Sequence, residues 1–182
     1  MRKVILGAAI TLDGYLARPD GSLDYLHMTK EGSADLTRLF ASVDTILFGR
    51  KTLDAVVAMT GSSYKSPVKA PTYVFSRTQP SGERDGVIFT NQSPKAWVSK
   101  MRARPGKHIL HMGGGELARS FFEADLIDEL SFSVVPILLG DGLPLFPAGF
   151  PQRDFTLVEN KTYSKSQISL TYRRVRSKRK RK

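Results

Sequence analysis

Uninterrupted apolar runs, rather than alternating ones, set the rhythm of this chain. Val4-Ile5-Leu6-Gly7-Ala8-Ala9-Ile10 contains no polar position, the pattern of a strand covered on both faces. A buried helix segment has the same composition, and the shortness of the run beside the terminus favours a strand. Asp13-Gly14 is a turn signal, Tyr15-Leu16-Ala17 resumes briefly, and Pro19-Asp20-Gly21 turns again. Ala34, Leu36, Leu39, Phe40 and Val43 then recur at helical spacing. Ser33 is the expected N-cap of that helix, which puts Asp35 in its first turn. Thr45-Ile46-Leu47-Phe48 reads as a strand that stops at Gly49, and Leu53-Asp54-Ala55-Val56-Val57 as the helix that follows.

Residues 58–70 are polar and turn-rich, the composition of a loop beside a cleft. Three more strands are expected at Thr72-Tyr73-Val74-Phe75, Gly86-Val87-Ile88-Phe89 and Lys107-His108-Ile109-Leu110-His111-Met112. Ser93 caps a short helix carrying Ala96, Trp97 and Met101. After residues 113–115, three consecutive glycines, Leu117, Ala118, Phe121, Phe122 and Leu126 share one helical face. Asp128-Glu129-Leu130-Ser131-Phe132-Ser133-Val134-Val135 alternates after its start, and Pro136 closes it. Residues 155–163 and 167–172 flank Ser164-Lys165-Ser166 as an antiparallel hairpin. Early strands separated by helices and late ones set antiparallel at one side predict a three-layer α/β/α sandwich. Its central sheet is mixed and mostly parallel, with a C-terminal antiparallel hairpin.

Composition narrows the function more than the fold. With 182 residues, one domain with a sizeable core is expected, over residues 1–172. No cysteine is present, which excludes disulfides, a thiolate nucleophile and Cys-ligated metal. Three histidines without metal spacing predict no metal site; they read first as surface or packing residues. The first apolar run is too short to span a bilayer and lacks a signal-peptide cleavage region, so a cytoplasmic protein without membrane contact is expected. The net charge of +11 is concentrated at the end, where Arg173, Arg174, Arg176, Lys178, Arg179, Lys180, Arg181 and Lys182 supply eight positive charges. Without those eight, 20 basic residues face 17 acidic ones, a net +3. Residues 173–182 are therefore read as a disordered basic tail, and the folded body as having no specific nucleic-acid site. A protein that binds nucleic acid through that tail is the alternative reading.

Three strand ends share one chemistry. Gly49-Arg50-Lys51-Thr52, Ser76-Arg77 and Gly113-Gly114-Gly115-Glu116 each come directly after an apolar strand, and in a parallel sheet they face one edge. A strand that turns into a helix at glycine leaves unpaired N–H groups, which with the helix dipole favour an anion. The glycine run is neither a Walker A loop nor a GxGxxG fingerprint. One anion-binding turn and two separate arginines suit a diphosphate that carries a further phosphate, which describes NADPH. Asp35 is the first candidate for an acid on the substrate side and Asp24 the second. For Asp35, a carboxylate favoured by the helix dipole is the simpler reading; Asp13 reads first as a turn-former.

Taken in order, Thr11-Leu12-Asp13-Gly14, Gly49-Arg50-Lys51-Thr52, Phe75-Ser76-Arg77, Gly113-Gly114-Gly115-Glu116, Leu126-Ile127-Asp128-Glu129-Leu130 and Pro136-Ile137-Leu138-Leu139-Gly140-Asp141-Gly142 resemble the dihydrofolate-reductase-like family. Within it they are most similar to the branch containing the reductase domain of riboflavin biosynthesis. The resemblance implies an NADPH-dependent reductase of a small pyrimidine- or pterin-like heterocycle, of the 5-amino-6-(5-phosphoribosylamino)uracil reductase type. It implies nicotinamide contacts at Ala9 and Leu16, with Asp13 bordering the cofactor. Arg50, Ser76 and Arg77 would hold the 2′-phosphate; Gly49, Lys51, Thr52, Gly113, Gly114, Gly115 and Glu116 would hold the pyrophosphate and its ribose. It places Asp35 near the acidic substrate-binding position of the folate enzymes. Thr29-Lys30-Glu31-Gly32-Ser33 stands where those enzymes carry Trp-Leu-Pro, so dihydrofolate is expected to be a poor substrate. Relatives of the riboflavin type imply a homodimer, with residues 134–139 as core or interface. A relative that binds the cofactor without turnover is the remaining alternative.

Overall fold

The computed structural model describes residues 1–61 and 64–176. β1 (Val4–Thr11) and the short β2 (Tyr15–Ala17) precede α1 (Lys30–Ala41), and β3 (Val43–Gly49) runs directly into α2 (Arg50–Thr60). β4 (Thr72–Phe75), β5 (Gly82–Arg84) and β6 (Val87–Thr90) lead to α3 (Pro94–Arg102). β7 (His108–Met112), α4 (Gly115–Glu123) and β8 (Glu129–Val135) follow, then β9 (Leu143–Pro144), β10 (Phe155–Thr162) and β11 (Ile168–Arg174).

Nine strands form one sheet in the order β10-β11-β8-β1-β7-β3-β4-β6-β5, while β2 pairs with β9 apart from it. The run from β8 through β1, β7, β3 and β4 to β6 is parallel throughout. β11 returns antiparallel to β8, β10 antiparallel to β11, and β5 closes the other edge antiparallel to β6. This is the expected mixed sandwich. Apolar positions without alternation are buried on both faces of the parallel strands. Leu6, Leu47, Phe75 and Ile109 meet Trp97 of α3 and Phe121 of α4 on one side. Ile5, Ile46, Phe48 and Leu110 meet Leu39 of α1 and Leu53 of α2 on the other. Trp97 is a packing residue, edge-on to Tyr73 and Phe75.

Helix coverage stops short of the hairpin side. Leu130 and Phe132 of β8 and Tyr172 of β11 belong to the α4-side core. The intervening Ser131 and Ser133, paired with Thr171 and Ser169, face the α1 side, so that face is polar where the other is apolar.

Two boundaries differ from the sequence reading. α1 begins at Lys30 and its N-cap is Thr29, whose hydroxyl accepts from Gly32 N at 3.0 Å. Ser33 lies inside the helix, Glu31 takes the first turn, and Asp35 falls in the second. The helical period did not register the first turn because Lys30, Glu31 and Gly32 carry no apolar side chain. At the other end, β11 continues through Arg173 and Arg174, two residues into the stretch assigned to the tail. Arg173 pairs with Glu129 at 3.1 Å, Arg174 with Asp125 at 3.2 Å and Arg176 with Asp128 at 2.7 Å. These charges are matched by acidic residues of the body rather than left to repel one another. Residues 177–182 lie outside the described residues. β5 was not expected: Gly82-Glu83-Arg84 has no apolar signal and is drawn into the sheet by the tight turn at Asp85-Gly86.

No helix among the described residues is long and apolar enough to cross a membrane, and they contain no cluster of three or more potential metal ligands.

Candidate active site

The three strand-end corners meet at the carboxyl edge of the sheet. β3 lies between β7 and β4, so Gly49 is flanked by the glycine turn on one side and by Phe75-Ser76 on the other. α2 starts at Arg50 with Gly49 as N-cap and no side-chain cap; α4 starts at Gly115 behind Gly114, again uncapped. Both helix N-termini therefore keep their first N–H groups for a ligand. α2 and α4 lie on opposite faces, so the two sets of donors converge on the sheet edge from either side.

Glycine is required at this turn by conformation. Gly113 and Gly114 have φ of 59° and 70°, a left-handed pair that concentrates N–H groups on one concave side. A Cβ on Gly114 would lie 3.2 Å from Thr52 Oγ1, so Thr52 of the first corner forms part of the wall of the third. On Gly115 a Cβ would lie 2.9 Å from Pro147 Cδ, because residues 144–147 press against the turn. Gly114→Ala is expected to lower stability by about 1–2 kcal/mol, the cost of a left-handed L-residue. Thermal unfolding of the variant checks this.

Two arginines flank the turn in different states. Arg50 is exposed and ion-paired with Asp54 one turn along α2. Arg77 is exposed, with no ion pair among the described residues. Its neighbour Ser76 is buried; the Ser76 hydroxyl accepts from Gln79 N at 3.1 Å and Thr78 N at 3.3 Å. That hydroxyl shapes the loop after β4 and fixes where Arg77 projects. Lys51 and Glu116 are exposed in the first turns of α2 and α4.

Asp13 is a brace for the neighbouring loop. Its carboxylate accepts from Leu139 N at 3.0 Å, Gly140 N at 2.8 Å and the Thr11 hydroxyl. The Thr11 bond foremost, with these backbone donors, holds its pKa below the ordinary aspartate value. The β1–β2 turn is thereby tied to the segment after β8. Leu16, partly buried against the core, accepts the Tyr25 hydroxyl on its carbonyl at 2.8 Å. Ala9 sits in β1 opposite Ser133 of β8.

The two candidate acids part company. Asp24 has a side chain 62% exposed and pairs with Arg18 at 2.6 Å; that hydrogen bond lowers its pKa. It is an exposed surface pair. Asp35 has a side chain only 15% exposed, and its carboxylate receives the Tyr163 hydroxyl, Arg38, and Lys161 Nζ at 3.3 and 3.4 Å. Lys161 and Tyr163 belong to the hairpin, more than a hundred positions away in sequence. Sequence reasoning missed both: residues 155–163 read as one strand of a hairpin, and nothing in that pattern points to Asp35.

Comparison with known proteins agrees with this architecture. The RibD C-terminal domain family matches residues 2–168. The uncharacterized protein YwjB of Bacillus subtilis (strain 168) is 35% identical over 147 residues, 80% of this chain and 83% of that protein. A "Putative riboflavin biosynthesis protein" from Shewanella sp. PV-4 superposes with a TM-score of 0.82 at 30% identity, covering 96% of this chain and 99% of that one. Dihydrofolate reductase from Enterococcus faecalis, in a structure complexed with NADP(H), shares the fold at a TM-score of 0.68 and 14% identity, over 94% and 96% of the two chains.

Proposed function

This chain belongs to the RibD C-terminal domain family, and from that premise we propose that it is an NADPH-dependent reductase of a small pyrimidine- or pterin-like heterocycle. Family and fold support a reductase-type oxidoreductase activity. The observation that carries the choice of cofactor is the convergence of two uncapped helix N-termini on the sheet edge at the left-handed glycine pair, with Arg77, which has no ion pair among the described residues, on the far side of Gly49. Those donors fit a pyrophosphate, and a guanidinium fits the additional phosphate that separates NADPH from NADH.

The residues then divide by task. Gly49, Lys51, Thr52 and the turn from Gly113 through Glu116 hold the pyrophosphate side. Arg50 and Arg77, the latter aimed by Ser76, hold the 2′-phosphate. Ala9, Leu16 and the Asp13-braced loop border the nicotinamide end, next to the polar cluster of Asp35, Lys161 and Tyr163. When bound, reduced nicotinamide supplies the hydride. The protein fixes the acceptor against it, keeps water from the gap, and supplies hydrogen-bond donors to the acceptor edge.

A fluorescence titration tests the cofactor assignment. NADPH is expected to bind at least tenfold more tightly than NADH, a difference of about 1.4 kcal/mol or more. Equal affinity for the two would remove the 2′-phosphate site and with it the reading. We also propose a homodimer, supported by the unpaired edge of β10, where Leu157 and Val158 are exposed.

A further inference from the structure

We infer that the amino edge of the sheet, together with the basic run from Lys178 to Lys182, is a docking surface for nucleic acid, gripped by its phosphate backbone without readout of sequence. The inference goes beyond the reductase reading and does not rest on it, because the cofactor corners lie at the opposite edge.

Position comes first. β11 runs antiparallel to β8, with Arg173 opposite Glu129, so its last residues reach the edge where β1, β7 and β8 begin. Arg176 is pinned there by Asp128 at 2.7 Å. From that point a continuous set of contacts crosses the edge. Asp128 also holds Arg102 at 2.5 Å. Arg102 donates to the Arg2 carbonyl at 3.1 Å, and Arg2 donates to the Lys107 carbonyl at 2.8 Å. The root of the basic run therefore stands on the same ground as the loop from α3 to β7, which carries Arg104 and Lys107. The seven residues of β3 separate this edge from the Gly49 corner, roughly 20 Å of extended strand.

Charge comes next. At this edge seven cations share four carboxylates, those of Asp44, Asp125, Asp128 and Glu129. Three more cations, Lys100, Arg104 and Lys107, are exposed and have no ion pair among the described residues. Even with Glu123 and Asp154, the acids of this end without an ion pair among the described residues, six carboxylates face ten cations. Beyond Arg176 come Ser177 and then five consecutive cations with no acid among them. A fixed basic edge thus continues into a run of mobile-stemmed lysine and arginine side chains.

The chemistry of that run selects the partner. Residues 177–182 contain no aromatic side chain to stack on a base and no apolar one to enter a bilayer. What they offer is ammonium and guanidinium groups, which pair with phosphate oxygens. A nucleic-acid duplex presents one such charge per about 1.7 Å of its axis, a row dense enough to meet the run and the edge at once.

Fluorescence anisotropy tests this, with the full chain titrated into a labelled duplex of about 20 base pairs between about 50 and 200 mM KCl. Each phosphate neutralised contributes about −0.9 to the slope of log K against log salt. The five cations of residues 178–182 alone give about −4.5, so a wild-type slope steeper than about −5 is expected if the edge takes part. Deleting residues 178–182 should weaken binding by about tenfold or more, and Lys100→Glu combined with Arg104→Glu should lower the slope by about 2 with the run intact. No binding at about 50 mM salt, less than about a twofold loss on the deletion, or an unchanged slope in the double variant would each overturn the docking surface. A strong preference for one duplex sequence would overturn backbone-only recognition. Vesicles containing phosphatidylserine, measured at the same salt, decide the class of partner: tighter binding to them than to the duplex would overturn nucleic acid as the occupant.

Discussion

His111→Leu is expected to make the protein more stable at neutral pH and to remove much of its acid sensitivity. His111 stands in β7 between Leu6 of β1 and Leu47 of β3, fully buried and edge-on to Phe121 with ring centroids 5.0 Å apart. Neither ring nitrogen has a hydrogen-bond partner among the described residues. A buried polar group without a partner costs about 1–3 kcal/mol, and an apolar side chain of similar size avoids that cost. Burial pushes the imidazole pKa down from 6.5 to about 3, against a smaller opposing contribution from its own backbone. The folded protein therefore keeps His111 neutral where the unfolded chain binds a proton. Between pH 6.5 and about 3 the unfolded state holds the extra proton, so stability falls as pH falls, by up to about 1.4 kcal/mol per pH unit. Above pH 6.5 both states are neutral and this contribution disappears. Urea unfolding of wild type and His111→Leu from pH 7.5 to pH 4.5 checks both parts. Parallel pH profiles, or a less stable variant at pH 7.5, would contradict them.

Arg77→Ala is expected to weaken NADPH binding by about 10- to 100-fold while leaving NADH almost unchanged. A charge-assisted hydrogen bond contributes roughly 1.5–3 kcal/mol, and tenfold corresponds to about 1.4 kcal/mol. Arg50→Ala should do less. Arg50 is already paired with Asp54, so binding a phosphate exchanges one anion for another, whereas Arg77 gains its first. The order of the two effects is thus a stronger check than either alone. Parallel titrations of both variants with NADPH and NADH measure it; a larger loss in Arg50→Ala would show that Asp54 does not hold its partner in solution. A loss of NADH affinity equal to that of NADPH would place Arg77 away from the 2′-phosphate.

The strand-end corners proposed to hold the cofactor were legible in the sequence because their chemistry is local. Gly49, the turn at Gly113 and Gly114, and Ser76-Arg77 each announce themselves within four residues. The order of parallel strands then brings them to one edge. Continuous apolar runs likewise revealed strands buried on both faces. The polar cluster around Asp35 was not legible for the opposite reason. Asp35 acquires its meaning from Lys161 and Tyr163, and no pattern in either segment points to the other. The helix register also slipped by a turn, since Thr29 caps through a hydroxyl that leaves no trace in apolar spacing. The charge run at the C-terminus was read by composition alone, which is blind to Glu129, Asp125 and Asp128 waiting as partners.

The central place of β1 in the sheet has a consequence for the order in which the protein can be built. β1 is synthesised before every other strand of this sheet, yet both of its partners, β7 and β8, lie more than a hundred residues downstream, and Val4 N donates to Asp128 at a separation of 124 residues. At synthesis rates of about 5–20 residues per second that gap lasts roughly 6–25 s. For that interval an apolar strand has neither edge paired, and closing so long a loop makes its pairing slow even once the partners exist. Any shortened chain that ends before β8 keeps one edge of β1 open permanently. Such fragments should aggregate instead of folding into a smaller version of the domain, and expression of the full 182-residue sequence should benefit from lower temperature or from chaperones that shield nascent β1.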